Sequence, residues 1–160
     1  MAKDYKNAPL ICAILSIIAF SGIGGGVYWN LPIIIIAAML PAVLYEIYRT
    51  EGLYTKGASL GMLVLLAVEA FLVFKKDPVK ISEYLKKTGG VIKTSYLDMI
   101  DLTIAAPAII AVLAFFLIRR TGGKYTIWLA VIILVTSIAL IYTINPVLFH
   151  KLLNVGLEQV

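Results

Sequence analysis

The chain is 160 residues long, 61% hydrophobic and only 14% charged, with a net charge of +5 and a mean hydropathy of +0.97. A soluble domain carries roughly 25% charged residues, so this composition excludes a water-facing surface of ordinary charge density. A single cysteine (Cys12) and a single histidine (His150) exclude an internal disulfide, the usual zinc constellations and a two-histidine metal site.

The first apolar stretch, about 8–28, follows Lys3 and Lys6 and so resembles the start of a secretory signal. It runs longer than a signal h-region and closes on no clear small-residue cleavage site, so a retained helix is expected. Tyr28 and Trp29 stand where aromatic rings favour the headgroup level, and Pro32 fits the first turn of a second helix. Gly22 and Gly26 have the G-x-x-x-G spacing that lets helices approach closely in lipid. The run Gly24, Gly25, Gly26 is expected to loosen the end of this helix into a hinge.

A second span is predicted at about 31–48, with Pro41 inside it. Glu46 and Arg49 are three apart near its end, which suggests a local ion pair with the arginine snorkelling outward. After a polar stretch at 49–56, a third span is predicted at about 57–74, beginning with a further G-x-x-x-G pair, Gly57 and Gly61.

The only long connection follows. Asp77 and Pro78 read as a cap and first turn, and Ile81, Tyr84 and Leu85 share one face of a predicted amphipathic helix at about 78–88. Such a helix would lie flat in the headgroup region, with Lys80, Lys86 and Lys87 on lipid headgroups. Ser95 and Asp98 match a capping box before a fourth span at about 99–118, which contains Pro107. The fifth span, about 125–142, has no charged residue at all, and the tail after Pro146 reads as a weaker interfacial helix.

These elements specify an all-α integral membrane protein: a five-span helix bundle forming one membrane-embedded domain over 1–160, with one interfacial helix between spans three and four. The positive charge does not point to nucleic acid, because the lysines adjoin apolar spans; the bilayer, with anionic lipids, is the expected partner. Orientation is undecided by the cationic residues. With the N-terminus inside, Lys3, Lys6, Arg49, Lys56, Arg119, Arg120 and Lys124 face one side and Lys75, Lys76, Lys80, Lys86, Lys87, Lys93 and Lys151 the other.

Glu69 is the residue most out of place. It lies six residues before Lys75 and thirteen after Lys56, or ~9 Å and ~20 Å along a helix. A carboxylate at that depth costs on the order of 2–3 kcal/mol unless it is protonated, paired or wet. Asp101 is one turn beyond the Asp98 cap and is not explained by capping. Antiparallel packing of spans three and four would place Glu69 and Asp101 at similar depth, near Tyr142 and Asn145, as an ion or proton site. A structural hydrogen bond from Glu69 to a neighbouring helix or partner subunit is the competing explanation.

No nucleophile elbow, paired metal-ligand helix or phosphate-binding loop is present, so neither a catalytic residue, a metal site nor a cofactor is expected. The favoured reading is a non-catalytic subunit of a transport or energy-transducing membrane complex. The alternative is a small homo-oligomeric proton- or cation-linked transporter or channel using Glu69 and Asp101. A lipid-modifying enzyme ranks third.

Overall fold

The computed structural model describes residues 7–75, 102–120, 123–147 and 149. Among them the protein is all-helical, and five helices are long and apolar enough to cross a membrane. They are α1 (Ala8–Trp29), α2 (Pro32–Arg49), α3 (Leu53–Lys75), α4 (Leu102–Arg120) and α5 (Lys124–Ile144). The amphipathic segment predicted at 78–88 and the cap at Ser95 and Asp98 lie outside the described residues, as does most of the tail after Pro146.

One tight turn fixes the start of the bundle. Asn30 ends α1 in the left-handed conformation (φ 53°, ψ 41°), which asparagine tolerates, and Leu31 N–H donates back to the Gly26 carbonyl at 2.9 Å. Pro32 then opens α2 at a position whose amide has no helical acceptor. The α1 helix is continuous through Gly24, Gly25 and Gly26, so the expected hinge is absent. Its packing explains why: Gly22 and Gly26 both face α2, and a methyl on either would overlap Ala38 or Ile35.

The helix α3 begins earlier than the apolar pattern suggests. Gly52 turns the chain at φ +119°, and Lys56 N–H already donates to the Gly52 carbonyl at 2.9 Å. Polar residues such as Lys56 therefore form the exposed first turns of the helix rather than a loop before it. Hydropathy marks where a helix enters an apolar medium, whereas backbone hydrogen bonding marks where it starts.

The helices α2, α3, α4 and α5 form a ring in which each contacts the next, and α1 packs into the groove between α2 and α5. Neighbours in the ring run antiparallel. Arg120 stacks on Tyr54 at 5.2 Å, and Gly61 approaches Leu113, which sets the register of α3 against α4. Arg49 lies 5.0 Å from the Tyr125 ring centroid and fixes α2 against α5.

One apolar core fills the ring, with Ile35 and Met39 from α2, Met62 and Leu66 from α3, Ile110 and Ala114 from α4, and Ile133 and Leu140 from α5. A smaller cluster of Cys12, Leu15 and Leu129 attaches α1, where Trp128 Nε1–H also donates to Ser16 Oγ at 3.0 Å. Large apolar side chains also cover the outside, among them Ile17 (67% exposed), Val64 (62%), Phe71 (61%) and Val112 (66%). An apolar exterior this extensive fits a hydrocarbon surround and not water.

Gly57, in contrast to Gly22, has open space where a Cβ would sit. Gly22→Ala should therefore destabilise the detergent-solubilised protein by about 1–3 kcal/mol through overpacking against α2. Gly57→Ala should change stability by less than about 0.5 kcal/mol. Denaturant titration followed by circular dichroism measures both, and equal effects would contradict the α1–α2 contact described.

Candidate functional site

Buried positions on α3 recur at Ser59, Met62, Leu66 and Glu69, a 3–4–3 spacing that marks one helix face. Glu69 thus sits on the core-facing stripe, where leucine or methionine would be the ordinary choice. Its residue is 0% exposed, and neither carboxylate oxygen has a hydrogen-bond partner among the described residues. That arrangement removes support for a structural hydrogen bond from Glu69 to an adjacent helix. A carboxyl group so placed is stable only when neutralised by a proton or a cation.

The register of α3 on α4 puts Glu69 roughly level with the turn of α4 around Pro107. Proline lacks an amide, so the carbonyl four residues earlier, at Thr103, loses its helical donor. A carboxyl group and a backbone carbonyl without its helical donor then share one depth of the bundle. Both are hard oxygen acceptors, a donor set suited to a proton or a small hard cation.

Asp101 lies outside the described residues, next to the start of α4 at Leu102. Tyr142 and Asn145 are at the end of α5. Tyr142 is 37% exposed and meets Phe149 edge-on at 5.5 Å. Asn145 caps the helix, its N–H donating to Ile141 and its carbonyl accepting from Phe149 N–H. Neither side chain hydrogen-bonds Glu69. Lys80, Lys86 and Lys87 lie outside the described residues. No group of three or more metal-ligating side chains occurs among the described residues.

A second polar cluster occupies the opposite end of the bundle. Glu46 is 0% and Arg49 1% exposed, so Arg49 does not snorkel out of the bundle as its sequence position suggests. Its guanidinium lies instead over the Tyr125 ring, in electrostatic contact with Glu46 and within hydrogen-bonding reach of the Cys12 thiol. Thr50 Oγ1 donates to Glu46 Oε1 at 2.9 Å and to the Glu46 carbonyl at 2.7 Å.

Nearness to the helix end obscured this cluster in the sequence. A legible signal was present: Ile35, Met39, Ala42, Glu46 and Arg49 follow one another at 4–3–4–3 spacing. The charged pair continues the core-facing stripe of α2, so it points inward and not into the headgroups.

Three buried hydroxyls of α5 are of another kind. Thr136, Ser137 and Thr143 each donate to the carbonyl four residues earlier in α5, at 2.6–2.8 Å. They are satisfied within their own helix and offer nothing to Glu69 beyond a lone pair.

No protein-family model matches the chain, and neither a curated protein nor a solved structure is similar to it.

The two carboxylates respond differently to removal. Glu69→Met deletes a buried group without a hydrogen-bond partner and should raise stability by about 1–3 kcal/mol. Glu46→Met strands the Arg49 charge in the interior and should lower it by about 3–5 kcal/mol. Thermal denaturation in detergent distinguishes the two, and equal losses in both variants would contradict the environments described.

Proposed function

We propose that this is a multi-pass membrane protein that binds and releases a proton, or a small cation in its place, at Glu69. The observation that carries the reading is a carboxyl group on the core face of an apolar bundle with no hydrogen-bond partner on either oxygen among the described residues. Such a group costs stability and contributes nothing to packing that methionine would not supply better. Its retention is explained by a function that needs reversible neutralisation. The Thr103 carbonyl at a similar depth, lacking its helical donor because of Pro107, would add a second oxygen to the site. Asp101 would extend the site at the start of α4, and Lys80, Lys86 and Lys87 would hold the connecting segment at anionic headgroups.

The protein would perform this exchange as one component of a transport or energy-transducing assembly. A specific observation favours assembly. Gly57 begins a G-x-x-x-G pair on α3 whose Gly61 packs on Leu113, but a Cβ at Gly57 would meet nothing within 4 Å among the described residues, so that end of the motif is open to a neighbour. A second copy or a different membrane subunit would take up that face. A catalytic role has no comparable support.

Reconstitution into liposomes with a trapped pH-sensitive dye tests the proposal. Wild-type vesicles should dissipate an imposed proton or cation gradient, and Glu69→Gln should abolish the flux while leaving the fold and oligomer intact. Flux through Glu69→Gln equal to wild type would overturn the assignment of the site. Purification in mild detergent reports the assembly separately, as a homo-oligomer or a hetero-complex.

A further inference from the structure

The cluster around Glu46 has features that an ordinary buried ion pair lacks. Glu46 and Arg49 are one turn apart, and Thr50 accounts for one carboxylate oxygen. The other, Glu46 Oε2, has no hydrogen-bond partner among the described residues, and the same is true of the Tyr45 hydroxyl and the Thr126 hydroxyl. Three buried oxygens from α2 and α5 are left open at one level of the bundle, fixed by the stacking of Arg49 on Tyr125. Each of the three can both give and accept a hydrogen bond once the carboxyl is protonated. That set fits water and a proton.

Position adds to chemistry. The helix α3 starts where α2 ends, so Glu46 lies about 5 Å from that end of the bundle and Glu69 about 24 Å from it. Between those depths the ring is filled by Met39, Met62, Leu66, Ile110, Ala114 and Ile133, all fully buried. Two buried carboxyl groups therefore bracket an apolar plug.

We infer that Glu46 is a second proton-binding station, holding its proton together with water between the Tyr45 and Thr126 hydroxyls at the opposite end of the bundle from Glu69. Binding a proton converts the carboxylate to the acid; the Arg49 guanidinium beside it favours the carboxylate and so promotes release. The groups that set this exchange are Cys12 from α1, Tyr45, Arg49 and Thr50 from α2, and Tyr125 and Thr126 from α5. The helix α3 brings no buried titratable side chain to this end, since Tyr54 and Lys56 are exposed. A role for Glu46 as the far terminus of a pathway rests on the proposed function of Glu69, whereas proton binding at Glu46 does not.

Infrared difference spectra of the full chain in lipid nanodiscs, recorded between alkaline and acidic pH, test this directly. Protonation of a buried carboxylate gains a carboxylic acid carbonyl band that shifts in deuterium oxide. Two such bands are expected, one missing in Glu69→Gln and the other in Glu46→Gln. Glutamine at 46 preserves an acceptor for Thr50, and Glu46→Asp serves as the second variant, moving the band without removing it. A spectrum unaltered by either substitution at 46 would overturn the inference and leave Glu46 a permanently ionised partner of Arg49. Loss of only the Glu69 band from the expected pair would instead overturn the proposed function while the station at Glu46 stands.

Discussion

Every buried polar group in this protein must be satisfied from inside, because an apolar medium offers no replacement for water. Helices solve the problem for the backbone, and the same economy governs the side chains. The hydroxyls of Thr136, Ser137 and Thr143 on α5 return to carbonyls of their own helix, and Trp128 reaches across to Ser16 on α1. Against that background the exceptions carry the information. They collect at two levels, around Glu69 at one end of the bundle and around Glu46 at the other.

Close helix approach makes this arrangement possible. Gly22 and Gly26 let α1 lie directly on α2 beside Ala38 and Ile35, which brings Cys12 and the start of α1 over the Glu46–Arg49 turn. The four-helix ring encloses an apolar core of uniform character, so the polar levels at its ends are isolated from each other. A charged arginine is tolerated in the lower level because it has a carboxylate, an aromatic face and a thiol around it. Glu69 has no hydrogen-bond partner among the described residues, and that cost is what supports the proposed exchange.

Much of the fold was legible in the sequence because hydropathy and helix length report on the medium. The five helices follow from that, with the end turns of α1 and α2 set by Asn30 and Pro32. What escaped was anything that depends on direction around a helix. The glycines at 24–26 suggest loosening, yet packing against α2 keeps α1 regular. Glu46 and Arg49 look interfacial when only depth is counted, although their 4–3 continuation from Ile35, Met39 and Ala42 places them inward. Glu69 stood out in the sequence by depth alone, but its lack of a hydrogen-bond partner is a property of the surrounding side chains and no pattern encodes it.

Lipid as the solvent of the outer surface is the premise behind each depth and each cost, and the two tryptophans report on it. Trp29 ends α1 and Trp128 lies near the start of α5, at opposite ends of the bundle, and they are 62% and 45% exposed. Fluorescence of the protein in bilayers containing lipids brominated at graded depths should show both quenched by the bromine atoms, Trp29 most strongly by those nearest the headgroups. Emission untouched by brominated lipid but quenched by aqueous iodide would place these faces in water and contradict the account.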